Sequence, residues 1–174
     1  SYLKQLKIQE NKKQSILAGD AAVNALKADK LKAMKDFKAE SSNTFIEFKR
    51  TMGTDKTYSS SNMNKEFTSE ELSAEVLKKL KSFITDEEIK SIVITVPAKF
   101  TINQKDATSR AAKLAGFEHC ELLQEPIAAS MAYGLDSTSK DGLWLVFDFG
   151  GGTFDAALLK VEDGIMKVID TEGD

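Results

Sequence analysis

Residues 148–155 read Asp148-Phe149-Gly150-Gly151-Gly152-Thr153-Phe154-Asp155. Three glycines between apolar stretches cost chain entropy, which a loop tolerates when its backbone must approach a ligand closely or adopt positive φ. Successive free N–H groups in such a turn form an anion-binding concavity, and Thr153 adds a hydroxyl donor. The carboxylates of Asp148 and Asp155 can hold the water shell of Mg²⁺. The octet therefore predicts a site for metal-bound phosphate groups; the alternative is a glycine-rich hairpin turn.

The pattern around this loop predicts an α/β fold in the order α-β-α-β-α-β-β-β from residue 68. Helices are predicted from Thr68 to Phe83, Thr101 to Gly116 and Pro126 to Gly134, and strands over Ser91–Val96, Cys120–Leu123, Trp144–Phe149, Phe154–Val161 and Ile165–Thr171. Strands separated by helices imply parallel pairing, and the last three strands should form an antiparallel meander. The β-branched run Ser91–Val96 is typical of a strand buried on both faces. In the first helix, Leu72, Val76, Leu80 and Phe83 form the predicted buried stripe.

The first 66 residues have a different pattern. Alternation over residues 2–8 and 14–18 indicates two short strands, and a lysine-rich helix begins at Asp20. Thr44-Phe45-Ile46-Glu47 has the Thr-x-x-Glu form of a capping box, which predicts a short helix ending near Gly53. Residues 1–90 carry a net charge of +3 and residues 91–174 one of −6. Without interleaved aromatic side chains the lysine-rich stretch is a solvated helix and not a nucleic-acid surface.

Composition excludes several classes of protein. The 174 residues include one cysteine, Cys120, so an internal disulfide framework is impossible and a reducing, cytoplasmic compartment is expected. With a pI near 5.4 the chain lacks the basic footprint of a nucleic-acid binder. No apolar run reaches the roughly 18 residues of a membrane span. We expect neither nucleic acid nor membrane as a partner.

Two further segments carry candidate chemistry. Glu125 precedes Pro126 at a strand-to-helix junction, where α/β active sites collect; alternatively it is an acid that favours the helix start. Lys49-Arg50 lies at the end of the predicted short helix, where two cations can simply complement the helix C-terminus. His119 is the only histidine, so a histidine-rich metal site is excluded. The Asp-Phe-Gly triplet superficially matches a protein-kinase motif, but no His-Arg-Asp triplet accompanies it.

Taken together, these segments resemble the ATPase domain of the 70-kDa heat-shock chaperones (DnaK-type). The similar segments are Asn43–Gly53, Ile92–Phe100, Asp106–Gly116, Leu123–Ala129, Ala132–Leu135 and the Asp148–Asp155 loop. Three positions depart from the family pattern. Lys99 stands where an aromatic residue is usual, Gln124 replaces Asn, and Phe149 replaces Leu.

The resemblance implies ATP or ADP with Mg²⁺ as cofactors and assigns roles by position. Lys49 would position the attacking water or stabilise the transferred phosphoryl group. Glu125, Asp148 and Asp155 would hold the hydrated Mg²⁺, and each is a candidate base. Gly150, Gly151, Gly152 and Thr153 would cradle the β- and γ-phosphates, which agrees with catalysis by positioning and charge neutralisation. Pro97 would be an interdomain switch.

By resemblance the chain is a partial actin-like (ribonuclease-H-like) ATPase fold, mostly the first lobe. Residues 1–66 would be its outer subdomain with a lysine-rich insertion at 22–42, residues 67–139 part of the inner subdomain, and residues 140–174 the first strands of the second lobe. The family's first phosphate loop is missing, so the chain would be a piece with half an ATP site, inactive alone, whose parent hydrolyses ATP.

Implied partners are unfolded peptides held by a missing domain, a J-domain co-chaperone and a nucleotide-exchange factor. Exposed strand edges also predict self-association. Three alternatives stay open: an actin-like filament protein, a sugar or acetate kinase, and a chaperone relative that binds nucleotide without turnover.

Overall fold

The computed structural model describes residues 3–5, 16–18, 20–35, 44–136, 138–150 and 153–173. The strands are β1 (Leu3–Gln5), β2 (Ile16–Ala18), β3 (Thr44–Phe45), β4 (Thr57–Ser60), β5 (Lys65–Thr68), β6 (Ser91–Val96), β7 (His119–Gln124), β8 (Gly142–Gly150), β9 (Thr153–Glu162) and β10 (Ile165–Gly173). The helices are α1 (Asp20–Lys35), α2 (Ser69–Lys81), α3 (Ile102–Leu114) and α4 (Glu125–Ala132), and a 3₁₀ helix covers Phe48–Thr51. No helix in these ranges is both long and apolar enough to cross a membrane.

The chain divides into two compact units. Unit 1 comprises Ser1–Ile92 and Asn103–Cys120, and unit 2 comprises Val93–Ile102 and Glu121–Asp174. The division falls inside β6 and β7, which pair as a two-stranded sheet. The mixed helix and strand content agrees with the predicted α/β class.

Unit 1 contains a three-stranded sheet and a hairpin. β1 lies between β2 and β3 and is antiparallel to both, while β4 and β5 form the hairpin. The strands predicted near the N-terminus are described at β1 and β2, and α1 confirms the helix predicted from Asp20. Residues 36–43, which include the end of the predicted insertion, lie outside the described residues.

Two apolar clusters form the core of unit 1. Phe45, Phe48, Phe67 and Leu72 are buried together, and the rings of Phe45 and Phe67 lie 5.9 Å apart. A second cluster joins Met52 to Ala107 and Ala111 of α3. The interior of unit 1 therefore has two parts, one around the aromatic rings and one against α3.

The predicted start of α2 is confirmed, whereas part of its predicted stripe is wrong. The Thr68 hydroxyl accepts from the Glu71 N–H at 3.2 Å, and the Glu71 carboxylate accepts from the Thr68 N–H at 2.9 Å. Leu72 is fully buried, but the side chains of Leu80 and Phe83 are mostly exposed. α2 ends at Lys81, and of the predicted stripe Leu72 and Val76 pack in the aromatic cluster of unit 1.

The capping box predicted at Thr44–Glu47 is wrong. Thr44 and Phe45 form β3 and pair with β1, so tertiary pairing overrides the local signal. The residue that precedes the 3₁₀ helix is Glu47, at a left-handed φ of 56°, with no side-chain cap. The Thr44 hydroxyl is buried and has no hydrogen-bond partner within the described ranges.

Gly53 ends this turn at a position that requires glycine. Its φ is +71°, and a Cβ there would lie 2.7 Å from the Asn103 carbonyl oxygen at the start of α3. The lack of a side chain lets the turn after the 3₁₀ helix approach α3.

Unit 2 is built on the antiparallel meander that the sequence predicts. β9 lies between β8 and β10, and Asp163-Gly164 forms the turn between β9 and β10. Ala157, Leu159 and Val161 are buried on one face of the sheet. On the same face the hydroxyl oxygen of Ser130, from α4, lies 3.8 Å from the sulfur atom of Met166 on β10.

β6 is not buried on both faces, contrary to the prediction. Ser91, Val93 and Thr95 are exposed, whereas Val96 is buried. In the described sheet β6 has only β7 beside it, so continuous β-branched sequence here does not mean two covered faces.

Candidate functional site

Three of the predicted acidic residues line one small cavity in unit 2. It is bounded by Pro97, Ala98, Glu125, Pro126, Val146, Asp148, Asp155, Ala156, Ala157 and Thr171. Its volume of about 20 Å³ has room for a single water molecule. The cavity is too small to hold a nucleotide. It marks the place where the acidic residues Glu125 of α4, Asp148 of β8 and Asp155 of β9 converge.

The sheet register brings Asp148 and Asp155 together. They are direct cross-strand partners on β8 and β9, so their Cβ atoms are about 5 Å apart on the same face. Asp148 is exposed and Asp155 is half-buried. Like charges placed directly opposite destabilise a strand pair, so this arrangement is costly unless a cation neutralises it.

Glu125 enters the site from α4. It is the first residue of that helix, Gln124 before it is extended, and Pro126 occupies the first turn, where its missing N–H is tolerated. The half-buried Glu125 carboxylate thus lies near the positive end of the helix dipole.

Gly173 makes room for the Asp155 carboxylate. The two residues pair across β10 and β9, and a Cβ on Gly173 would collide with the carboxylate of Asp155 and the carbonyl oxygen of Phe154. Any larger residue would displace the carboxylate. Sequence reasoning missed both Gly173 and Thr171, because a β-bulge between Val168 and Asp170 shifts the register that places them.

The glycine loop is described only at its ends. Gly150 closes β8 and pairs with Thr153, which opens β9. Gly151 and Gly152 lie outside the described residues, so the predicted phosphate cradle stays a prediction. The pairing of Gly150 with Thr153 fits a two-residue hairpin connection and does not decide between the two interpretations of the loop.

Lys49 is not among the residues that line the cavity. It is exposed on the 3₁₀ helix of unit 1, and its carbonyl oxygen accepts from the Met52 N–H at 3.3 Å. His119 is exposed and Cys120 is half-buried on β7.

The donor set suits a hydrated cation better than a directly bound one. Where the structure describes the chain, no three His, Cys, Asp or Glu side chains are grouped to hold a metal. Two facing aspartates with a glutamate on the same cavity supply hard oxygen acceptors, which Mg²⁺ with retained water ligands prefers. The residues therefore fit outer-shell binding of Mg²⁺.

Comparison with known proteins identifies the class. The family model for the Hsp70 protein matches residues 6–174. The chain is 50% identical over 115 residues to the chaperone protein dnaK of Guillardia theta and to that of Phaeodactylum tricornutum. Each match covers 64% of this chain and 18% or 19% of the relative, so the chain matches less than a fifth of each relative's length. The chain belongs to the Hsp70 family, which sets aside the filament and sugar-kinase alternatives.

Proposed function

We propose that this chain is part of a chaperone ATPase domain whose parent binds and hydrolyses ATP with Mg²⁺. Hydrolysis would drive cycles of binding and release of unfolded peptides. The observation that carries the proposal is the cross-strand pair of Asp148 and Asp155, placed beside Glu125 at the base of the glycine hairpin. Facing carboxylates are maintained against their own repulsion where a cation is to be held.

Each residue has a distinct role. Asp148 and Asp155 accept hydrogen bonds from the waters around Mg²⁺, which supplies charge neutralisation on the β- and γ-phosphates when bound. Glu125 orients the attacking water and is a candidate proton acceptor. The backbone N–H groups of residues 150–153 bind phosphate oxygens, and Lys49 stabilises charge on the transferred group.

The proposed architecture follows the family. Residues 1–66 form the outer part of the first lobe, residues 67–139 part of the inner subdomain, and residues 140–174 the start of the second lobe. β6 and β7 pair in parallel within the inner subdomain, and Pro97 acts as the switch between domains. Because the other phosphate loop lies outside this sequence, the chain carries half a site and has no turnover by itself.

The partners are proposed on the same basis. Unfolded peptides would bind to a domain of the parent outside this chain, and a J-domain co-chaperone and a nucleotide-exchange factor would act on the cycle. The location would be cytoplasmic. Copies of the chain would also associate with each other through the exposed edges of the sheet formed by β6 and β7.

Nucleotide binding without turnover is the second candidate. Lys99, two residues after Pro97, favours this candidate, because the family usually has an aromatic residue at that position. In this chain the Lys99 ammonium lies 3.6 Å from the Glu172 carboxylate. A charged group beside the proposed switch residue could uncouple binding from hydrolysis.

Calorimetry with Mg·ATP tests the proposal in both the parent and this chain. We expect tight binding by the parent, a loss of at least about tenfold in affinity for Asp148→Ala, and no tight binding by the chain alone. Asp170→Ala is the matched control, since Asp170 lies on the same sheet but on the opposite face. Equal binding by both variants would contradict the proposed site, and tight binding by the chain alone would contradict the half-site.

A further inference from the structure

Three hydroxyl groups meet at the end of the 3₁₀ helix in unit 1. The Thr51 hydroxyl oxygen lies 2.7 Å from that of Tyr58, on β4, and 2.7 Å from that of Ser69, the first residue of α2. The Thr51 hydroxyl also donates to the Phe48 carbonyl oxygen at 3.1 Å. Thr51, Tyr58 and Ser69, called here the hydroxyl triad, therefore join three elements of unit 1 at one oxygen atom.

The direction of each hydrogen bond in the triad follows from the number of available protons. A hydroxyl group has one proton to donate and two lone pairs that accept. Because a carbonyl oxygen can only accept, the proton of Thr51 is used on Phe48. Both Tyr58 and Ser69 must then donate to Thr51, so these bonds occupy both lone pairs of the Thr51 oxygen.

The hydroxyl triad lies where lost hydrogen bonds are costly. Ser69 is 2% exposed, and Thr51 and Tyr58 are half-buried. The Tyr58 ring packs edge-on against Phe45 at 6.1 Å between centroids, so the aromatic cluster orients its hydroxyl. A buried donor that loses its acceptor still carries the cost of desolvation. Removing the Thr51 oxygen would therefore penalise both donors.

The helix α2 also contacts the next residue of the chain. Ser73 lies one turn after Ser69 on the same face of α2, and its hydroxyl donates to the Met52 sulfur atom at 3.4 Å. Met52 is buried against α3. Two serines one turn apart on α2 thus contact Thr51 and Met52, which are consecutive in the chain.

Lys49 is carried by the segment that these contacts fix. The 3₁₀ helix spans only Phe48–Thr51, which is too short to be stable without tertiary contacts. Phe48 is buried at its start and Thr51 is hydrogen-bonded at its end, whereas Lys49 is exposed. The Lys49 carbonyl oxygen accepts from the Met52 N–H at 3.3 Å, so the fixed residues also constrain the backbone of the lysine.

We propose that Thr51, Tyr58 and Ser69 are positioning residues that fix the backbone of Lys49 for phosphoryl transfer. The inference rests on the role proposed above for Lys49 and adds the groups that hold it. A charged group stabilises a transition state best when it is already in place, because no reorganisation is then needed during the reaction. The hydroxyl triad acts through Lys49, so its loss should lower the rate of hydrolysis and leave the affinity for Mg·ATP unchanged.

Amide hydrogen exchange in the 174-residue chain tests whether the triad fixes this segment. Thr51→Val removes the shared oxygen at nearly constant volume. We expect the Met52 and Thr54 amides, which donate to carbonyl groups of the 3₁₀ helix, to exchange at least about tenfold faster. Thr108→Val is the matched control, since it removes a buried hydroxyl that bonds to Gln104 within α3, and those amides should keep their rates. Unchanged exchange in Thr51→Val, or equal acceleration in both variants, would overturn the inference.

Single-turnover ATP hydrolysis by the parent tests the effect on Lys49. We expect Thr51→Val to slow hydrolysis at least about tenfold while the Mg·ATP affinity stays within about twofold. Thr51→Ser keeps the hydroxyl and should restore the rate. Tyr58→Phe removes one donor, keeps the ring and should slow hydrolysis about threefold, so it serves if circular dichroism shows that Thr51→Val fails to fold.

The other outcomes separate this inference from the proposed function. Full-rate hydrolysis by the folded triad variants, where Lys49→Ala is inactive, overturns the positioning role alone. An Mg·ATP affinity that falls as much as the rate also overturns it, since the triad would then support binding and not the reaction. Full-rate hydrolysis by Lys49→Ala, or a parent without turnover, contradicts the proposed function and with it the positioning role, while a fixed 3₁₀ helix measured by exchange would stand.

Discussion

Units 1 and 2 bury their apolar side chains in different ways. In unit 1, Phe45, Phe48 and Leu72 come from a strand, a 3₁₀ helix and an α-helix and close around one another. In unit 2, Leu159 and Val161 are buried on one face of a sheet while the other face leaves Phe147 and Phe149 exposed. Unit 1 therefore supplies its own interior, whereas unit 2 holds the paired carboxylates on a sheet that is covered on one side only.

The largest expected effect comes from shortening one buried side chain in each unit separately. Leu72 and Leu159 are both fully buried, so replacing either with alanine should cost about 2–5 kcal/mol. Trp144, the sole tryptophan, lies on β8 and reports on unit 2, while far-UV circular dichroism is dominated by helices of unit 1. Leu72→Ala should shift the dichroism transition in urea, and Leu159→Ala the fluorescence transition. Identical shifts of both signals by either variant would remove the distinction between the units.

Replacing a glycine of positive φ in each unit sharpens the same comparison. Gly53→Ala in unit 1 should cost about 2–4 kcal/mol, because a positive φ and a collision with the Asn103 backbone add together. Gly134→Ala in unit 2 is the matched control: its φ is +91°, but a Cβ there meets nothing within 4 Å. It should cost only about 1–2 kcal/mol. Equal losses in urea denaturation would show that the close approach to α3 adds nothing.

Acid should weaken unit 1 through the start of α2. Burial raises the pKa of Glu71, but hydrogen bonds from the Lys65 ammonium and the Thr68 N–H outweigh it, and the pKa lies below its ordinary value of 4.5. A carboxyl group whose pKa is lower in the folded state than in the unfolded state stabilises the fold. This contribution is complete above the pKa of the unfolded state and is lost as the pH falls through the pKa of the folded state. Urea midpoints between neutral pH and pH 3 should therefore fall less steeply for Glu71→Gln.

Lys65→Met separates the two causes of the lowered Glu71 pKa. It removes the ammonium and keeps the capping hydrogen bond, so the acid-sensitive window should move toward higher pH. An unchanged window would mean that the Thr68 N–H alone sets this pKa.

The smallest expected effect has the opposite sign and concerns the site. Asp155→Asn removes one of two facing charges, so without Mg²⁺ it should stabilise unit 2 by about 0.2–1 kcal/mol. Urea unfolding followed at Trp144 measures this. Destabilisation would indicate that the carboxylate pair is already compensated within the chain.

Local signals predicted much of the fold. The Thr68–Glu71 capping box, the turn at Asp163-Gly164 and the meander around the glycine loop depend on neighbouring residues and are confirmed. Thr44 carries the same capping pattern, but long-range pairing with β1 places it in a strand. The convergence of Asp148 and Asp155 follows from hairpin register, whereas Gly173 depends on a bulge that sequence does not reveal. The exposure of Leu80, Phe83 and Val93 depends on which other elements pack against them. The hydrophobic periodicity of a single segment carries no information about that packing.

ATP turnover by the parent carrying Asp155→Asn tests the central claim most directly. The account predicts a variant at least as stable as the parent whose turnover falls at least about 100-fold, while Asp170→Asn on the opposite face keeps its rate within about twofold. Retained turnover in a folded Asp155→Asn parent would contradict the claim that the facing aspartates hold the catalytic Mg²⁺.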